Sequence, residues 1–278
     1  MSQGIEATVP ASFSATKPVR RIPWLPALES ASVLAALLVL WWLASHFQWV
    51  NKVFLPTPEA TLAALAQGLN LAPGDVPGEL GAFTLGTVQR MLKGWLLASL
   101  LGIGLGALIG ISATARAWVL PTLEFIRPLP ASAILPLAIS IFGLSGSMVL
   151  FVVAFGSMWP VLLATIHGFA SVEPRLREVA AALQMRKSAF IWKVGLPSAM
   201  PDILAGMRLS MTVSLILAVV GEMIASQNGL GQAILLAARS FRANELFAGI
   251  VLLGAIGFVS NAFLALAEKR LLRWQRRH

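Results

Sequence analysis

Residues 171–200 read SVEPRLREVAAALQMRKSAFIWKVGLPSAM and form a polar, basic segment inside an otherwise hydrophobic chain. We call this segment the basic loop. Five of the 21 Lys and Arg residues lie in it, namely Arg175, Arg177, Arg186, Lys187 and Lys193. Charged side chains are almost never fully buried without a partner, so a segment of this composition lies in water. A patterned helix in water between two hydrophobic segments is a surface for a soluble partner protein.

The spacing of residues in the first half of the basic loop predicts an amphipathic helix. Pro174 suits the first helical position, where its missing N–H group would have no intrahelical partner. Arg175, Arg177 and Glu178 point away from the apolar face. The apolar face is lined at i, i+3, i+4 and i+7 by Leu176, Val179, Ala180 and Leu183.

The second half of the basic loop predicts a shorter helix. Ser188 is a candidate N-cap, because its hydroxyl can accept a hydrogen bond from a free N–H group of the first turn. Pro197 and Pro201 each lack an N–H donor and clash with the preceding turn. We therefore expect these prolines to end the short helix before the next hydrophobic segment.

The composition places the chain in a lipid bilayer. Its 278 residues are 57% hydrophobic and 12% charged, with a mean hydropathy of +0.79. This is too little polar surface to cover a soluble globule of that length. The net charge of +9 does not indicate nucleic-acid binding, because the basic residues are distributed among loops rather than gathered on one soluble face.

Hydrophobic segments predict an all-α, polytopic membrane protein. A spanning helix needs about 20 apolar residues. Six transmembrane helices are expected, at residues 28–47, 89–112, 120–142, 147–168, 203–224 and 246–267. The third contains several prolines, which are tolerated where neighbouring helices or water satisfy the freed carbonyl groups, so we expect one kinked helix inside the protein. The transmembrane domain then covers residues 28–267, between a tail at 1–27 and a basic tail at 268–278, with a short helix expected at 59–69.

The distribution of basic residues predicts the orientation. If the N-terminus is cytoplasmic, 16 of the 21 basic residues lie at the cytoplasmic side and five lie outside. The positive-inside rule then places both termini and the basic loop in the cytoplasm. In this scheme Arg127 lies at the cytoplasmic mouth with Glu124 three residues earlier; the two interpretations are a structural ion pair, which we favour, and contact with the substrate.

The basic loop also resembles the signature of a known family. Glu178-Val179-Ala180, then three residues and Gln184, and later Leu196-Pro197, are similar to the EAA…G…LP loop of the inner-membrane permease subunits of binding-protein-dependent ABC importers. Three further segments, 94–110, 127–143 and 221–231, resemble in the same order the sulfonate, taurine and nitrate permease branch. The matches together span residues 84–267.

This resemblance implies a type I ABC importer permease fold whose loop is a coupling helix that docks on a cytoplasmic ATPase. The implied partners are two ATPase subunits, a second permease copy in a homodimer, and an extracytoplasmic substrate-binding protein. The implied location is the bacterial inner membrane, and the implied cargo is a small anion such as a sulfonate, taurine, nitrate or a related organic acid. The residues implied in ATPase coupling are Arg177, Glu178, Val179, Ala180, Leu183, Gln184, Leu196 and Pro197.

Two residues depart from the family pattern. Val179 replaces the middle alanine of the triplet, and Gln184 replaces the glycine of the turn. Glycine adopts a left-handed backbone freely, whereas a glutamine does so at a cost on the order of 1 kcal/mol. Gln184 therefore either takes up this strain, or the first helix continues past it.

Residues within the spans are candidates for packing and for the translocation path. Gly102, Gly106 and Gly110 recur every four residues and form a smooth face that allows close approach, either inside the subunit or across a dimer. Glu222 has two interpretations: a residue that faces the path or its gate, and a carboxylate exposed to water at the membrane surface. The candidates for the path or gate are Ser132, Pro136, Ser140 and Glu222.

No pattern typical of catalysis occurs in the chain. It has no cysteine, three widely separated histidines, and neither an HExxH nor a GxSxG pattern, so we predict no catalytic residue and no metal site. A GxxxxGK[ST] phosphate loop is also absent, so ATP and Mg²⁺ are expected on a partner subunit. The alternative class is an ATP-independent secondary transporter or channel, which often carries ionisable residues deep in several spans and inverted repeats.

Overall fold

A computed structural model describes residues 25–69 and 78–273, and the elements within these ranges are helical. Residues 1–49, which include α1, and residues 50–278 form two separate compact units. Most of the expected N-terminal tail lies outside the described residues. The helices are α1 (Leu25–His46), α2 (Pro58–Leu69), α3 (Glu79–Ile111), α4 (Ala113–Ile126), α5 (Leu135–Phe142), α6 (Gly146–Ala170), α7 (Pro174–Ala182), α8 (Lys187–Phe190), α9 (Leu196–Ala225), α10 (Leu230–Arg239) and α11 (Ala243–Leu271), with a 3₁₀ turn at Ala131–Ile134 and a π-helical turn at Ile191–Gly195.

Four helices in the described ranges are long and apolar enough to cross a bilayer: α3, α6, the α8–α9 segment and α11. They coincide with four of the predicted spans, although α3 begins ten residues before the predicted start at 89. The first predicted span, 28–47, coincides with α1 (Leu25–His46). α11 continues to Leu271, past the expected domain end at 267.

The third predicted span is wrong as a single kinked helix. The chain forms α4, breaks, and resumes as the Ala131–Phe142 segment at an angle of 80°. Pro128 and Pro130 explain the break, because each lacks an N–H donor and its ring clashes with the carbonyl of the preceding turn. Arg127 is the C-cap residue of α4, and its N–H group bonds to the carbonyl of Leu123.

Glycine contacts show that α3 and α6 run side by side in the same direction. A Cβ atom built on each of several α3 glycines would collide with an α6 residue at the corresponding level. Because both helices run the same way, residues 112–145 must return across the full length of α6. The pairs, in chain order, are Gly94 with Val153, Gly102 with Val161, Gly106 with Thr165 and Gly110 with Phe169.

The core of the second unit lies around α6. In its most apolar 18-residue stretch 56% of residues are buried, against 6% for α11, so α6 is central and α11 peripheral. α9 packs against α6 in the opposite direction, since Gly168 contacts Ala199 while Gly221 contacts Val149. The ends of α3 and α6 nearest the basic loop therefore share one face of the molecule with the start of α9.

The expected chain break at Pro197 and Pro201 is wrong. α8, the π-helical turn and α9 form one helical segment, Lys187–Ala225. The π-helical turn lies directly before Pro197. The N–H group of Leu196 donates to the carbonyl of Ile191, five residues earlier, whereas in an α-helix it would donate to the carbonyl four residues earlier. A widened turn leaves room for a proline ring that would clash with the carbonyl four residues earlier in a regular helix.

Two short helices complete the fold. α2 (Pro58–Leu69) confirms the short helix predicted at 59–69. α10 was not predicted, and it packs on α9 and α11. Its buried residues Leu230, Ile234 and Ala237 recur at i, i+4 and i+7, which is the helical signal that the sequence offered.

Candidate functional site

The exposed face of α7 carries an apolar stripe. Leu176, Val179 and Leu183 are 41%, 56% and 69% exposed. Ala180, which was predicted to share their face, is 6% exposed and turns towards the protein. The four residues cover a wide arc of the helix. Ala180 lies at the edge of this arc, and its side chain is small enough to pack against the protein. Three large aliphatic side chains on one face of the helix are therefore exposed to water, while Ala180 packs against the rest of the protein.

Arg177 attaches α7 to the end of α6. Its guanidinium donates hydrogen bonds to the carbonyls of Phe169, at 3.0 Å, and Ala170, at 3.2 Å. These carbonyls belong to the last turn of α6, where the helix dipole favours a positive charge. Arg116 donates in the same way to Gly110 near the end of α3. Arg177 thus positions α7, whereas Glu178 is exposed.

Gln184 takes the first of its two predicted alternatives. Its φ is 49°, in the left-handed region. The N–H group of Gln184 bonds to Ala181 at 2.9 Å, and that of Met185 bonds to Ala180 at 3.0 Å. This hydrogen-bond pair is a Schellman motif, which usually has glycine at the left-handed position. α7 therefore ends at Ala182, and the chain turns sharply into α8 despite the glutamine.

Leu196 and Pro197 lie in the first turn of α9 and are partly buried. Leu196 packs against the cluster formed by Phe169, Ala199 and Ile203. The neighbouring Gly195 is buried, and a Cβ atom there would lie 3.0 Å from the Phe169 ring. Leu196 and Pro197 therefore join the basic loop to the core. The exposed apolar stripe is confined to α7.

Glu222 is fully buried near the other end of α9, so its interpretation as a water-exposed surface carboxylate is wrong. Thr87 donates to it at 2.9 Å, Arg90 at 2.8 Å, and the N–H group of Gly231 at 3.0 Å. The Thr87 hydroxyl also accepts a hydrogen bond from the N–H group of Leu230 at 2.8 Å. A buried charge is tolerated when it is paired and hydrogen-bonded in this way.

The Glu222 network joins α3, α9 and α10. Arg90 donates a second hydrogen bond, at 2.9 Å, to the carbonyl of Asn228 in the turn after α9. Ser226 begins that turn with a left-handed backbone, at a φ of 49°. A Cβ atom on Gly229 would overlap the Glu222 carboxylate, so the buried acid requires glycine there, whereas a Cβ atom on Gly231 would overlap the Val219 carbonyl oxygen. Thr87 and Arg90 could not be predicted as partners of Glu222 from the sequence, because they lie more than 130 residues from it.

The other path candidates share one surface. Ser132, Pro136 and Ser140 are exposed, whereas Leu135 and Ala138 between them are buried. Their spacing of four places the three exposed residues on the side of the α5 segment that faces away from α6. The structure does not bring them together with Glu222, which lies inside the α3–α9–α10 junction.

The glycines at 102, 106 and 110 are buried against α6 within the subunit. The sequence left open whether these glycines pack inside the subunit or across a dimer. In the structure they pack inside one chain. Gly104, on the opposite side of α3, has open space around it.

The long apolar helices of the described ranges, the exposed basic loop and the buried Glu222 network define a polytopic membrane protein. The chain belongs to the family described as the binding-protein-dependent transport system inner membrane component, which it matches over residues 98–273.

Relatives in this family are similar over most of their length. The putative aliphatic sulfonates transport permease protein SsuC of Bacillus subtilis is 32% identical, over 92% of this chain and 90% of the relative. The taurine transport system permease protein TauC of Escherichia coli is 30% identical, over 92% of this chain and 94% of the relative. The bicarbonate transport system permease protein CmpB of Synechococcus elongatus is 28% identical, over 68% and 69%.

Solved structures confirm the fold. An inward-facing structure of the MetNI methionine ABC transporter matches with a TM-score of 0.60 at 16% identity, covering 70% of this chain and 95% of that one. An amino acid ABC transporter matches with a TM-score of 0.54 at 22% identity, covering 72% and 94%. The chain therefore has the type I ABC importer permease fold, as the sequence predicted.

Proposed function

We propose that two copies of this chain form the translocation path of an importer for a small anion, and that each copy takes its energy from a separate ATPase subunit through α7. ATP and Mg²⁺ bind to the ATPase, and an extracytoplasmic binding protein delivers the anion. Both termini and the basic loop lie in the cytoplasm of a bacterium, and the long apolar helices cross its inner membrane. The cargo class is supported by the relatives named for sulfonates, taurine and bicarbonate.

The observation that carries this proposal is the exposed stripe on α7. Leu176, Val179 and Leu183 each leave a large part of their surface, 41–69%, exposed. Complete burial of a fully exposed aliphatic side chain contributes about 1.5–3 kcal/mol, so burial of the exposed parts of these three contributes a share of that each. A groove on a partner would supply that burial, and Arg177 and Ala180 hold the helix so that it can transmit force.

The continuous segment Lys187–Ala225 provides a route for that force. Its 39 residues are about 58 Å long at the rise of an α-helix. One end begins directly after the Gln184 turn, and the other end holds Glu222 and its contacts to α3 and α10. A displacement of α7 by the ATPase would therefore move the junction at the far end of the same rod.

Substitution of the stripe tests this assignment. Leu183→Asp places a charge in the proposed groove and is expected to reduce co-purification of the ATPase about tenfold or more, since 1.4 kcal/mol corresponds to a factor of ten. Leu236→Asp is the matched control, because Leu236 is also an exposed leucine but lies on α10. ATPase binding and ATP-dependent uptake are measured for both.

Equal ATPase binding by the two variants, with unchanged uptake, would contradict the assignment of α7. Uptake by wild-type proteoliposomes without any ATPase would favour the alternative of an ATP-independent transporter. Thermal unfolding, followed by tryptophan fluorescence, verifies that Leu183→Asp leaves the fold intact.

A further inference from the structure

Arg127 lies at the break in the segment that returns across the bundle. α3 and α6 run in the same direction, so α4 and the Ala131–Phe142 segment must carry the chain back between their ends. Arg127 is the C-cap residue of α4 and so lies between the two arms of this crossing. The sequence placed it at the cytoplasmic mouth, and that placement is wrong.

The neighbours of Arg127 fix its depth. It lines a cavity of about 320 Å³ together with Gly156, Trp159 and Pro160 of α6 and Leu209 of α9. These residues lie near the middle of their helices. A Cβ atom on Gly156 would lie 2.7 Å from that of Ala131, so the chain just beyond Arg127 is pressed against the centre of α6. The cavity therefore lies midway between the two membrane faces.

Arg127 has no counter-ion in the described part of the chain. The ion pairs among residues 25–69 and 78–273 are Arg90 with Glu222, Arg208 with Glu268 and Arg242 with Glu245, so the expected pairing of Arg127 with Glu124 does not form. The side chain is exposed and takes part in no hydrogen bond within those ranges. A cation at mid-membrane depth is costly, and such residues typically face a cavity and mark the route of a charged solute.

We propose that Arg127 is the residue that binds the anionic group of the cargo halfway along the path. This inference rests on the proposed function, because it presumes that the chain carries an anion. A guanidinium offers a planar pair of N–H donors to a sulfonate or carboxylate. The rest of the cavity wall is apolar, through Leu129, Trp159, Leu163 and Leu209. The site thus fits a small monoanion with a short apolar part, and it disfavours cations.

Charge removal at this position tests the proposal. Proteoliposomes containing the chain, its ATPase and its binding protein are assayed for ATP-dependent uptake of labelled methanesulfonate, taurine and bicarbonate. Arg127→Gln is expected to lower the uptake rate of the probe that the wild type carries by about tenfold or more, as for the loss of one charge-assisted contact. Arg127→Lys keeps the charge and should retain more of the rate. Arg239→Gln, an exposed basic residue on α10, is the control.

The absence of cysteine allows a direct test of charge. Arg127→Cys carries the single thiol of the chain, and it is modified before the ATPase is added. A cationic aminoethyl methanethiosulfonate adduct should restore uptake, and an anionic sulfonatoethyl adduct should not. Basal ATP hydrolysis and ATPase co-purification verify that every variant assembles.

The outcomes separate this inference from the proposed function. Wild-type complexes without ATP-dependent uptake would overturn the proposed function, and this inference with it. Normal wild-type uptake combined with an unaffected Arg127→Gln variant would overturn the role of Arg127 alone. Equal uptake by the cationic and anionic adducts would do the same.

Discussion

Glu222 illustrates how a single carboxylate is kept inside an apolar bundle. Its three hydrogen bonds come from two other helices, from Thr87 and Arg90 on α3 and from Gly231 on α10, and Arg90 supplies the only opposite charge that pairs with it in the described residues. Removal of one partner from a buried pair leaves an uncompensated charge and typically costs about 3–5 kcal/mol. The pair is therefore more sensitive to the loss of one member than to the loss of both charges.

Arg90→Ala should lower the unfolding midpoint of the purified chain in detergent, by an amount equivalent to about 3 kcal/mol. The double variant Arg90→Ala with Glu222→Gln should be more stable than Arg90→Ala alone, because no buried charge remains. Thermal unfolding followed by tryptophan fluorescence measures both. A double variant that is less stable than Arg90→Ala would show that the carboxylate does not need its counter-charge.

Residue-scale details divide into those that sequence can reveal and those that it cannot. The left-handed backbone at Gln184 was one of two alternatives, because the resemblance to the family loop places a turn glycine at this position. The partners of Glu222 were not recognisable, because no local pattern connects residues that lie 132 and 135 positions apart. Burial of that carboxylate followed from the tertiary structure alone.

Among the helices, the close pair of α3 and α6 depends on small residues. At Gly106 a Cβ atom would lie 2.6 Å from the Thr165 Cβ and 2.8 Å from the Leu162 carbonyl oxygen, so one of the helices would have to move. At Gly104 a Cβ atom would have nothing within 4 Å. The two glycines share one helix and lie two residues apart, so they differ in packing rather than in helix propensity.

Gly106→Ala is expected to lower the thermal stability of the chain, and Gly104→Ala is expected to raise it by about 0.5–1 kcal/mol through the helix preference of alanine. The measurement is the unfolding midpoint of each variant in the same detergent. Equal shifts in the two variants would contradict the assignment of Gly106 to the α3–α6 contact.

Helices whose positions depend on the length of an apolar run were predicted correctly. Helix boundaries that depend on prolines were predicted wrongly. α6 and α11 follow directly from apolar runs. Pro128 and Pro130 break the third span, which the sequence predicted as one kinked helix, whereas Pro197 and Pro201 do not separate α8 from the fifth span, which the sequence predicted they would. A proline removes one hydrogen bond, but whether the helix breaks or widens depends on the packing around it.

At the scale of the whole molecule, the helix directions divide the second unit into two faces. One face holds the basic loop, the end of α3 and the end of α6, and the other holds the start of α6 and the Glu222 junction. The first face is the more basic, so the positive-inside rule predicts that it faces the cytoplasm. Leu144, between α5 and α6, then lies on the outer face and is exposed.

Single cysteines introduced into this cysteine-free chain test that orientation. Leu144→Cys should react with a membrane-impermeant maleimide added to intact spheroplasts, because its side chain contacts the outer solution. Ser188→Cys, in α8 on the basic face, should react only after the membrane is opened. The reverse pattern would place the α7 stripe outside the cell, where no ATP is available, and would exclude its docking on an ATPase. Reaction of Leu144→Cys from outside, with Ser188→Cys protected, would place both ends of the Lys187–Ala225 rod as energy coupling requires.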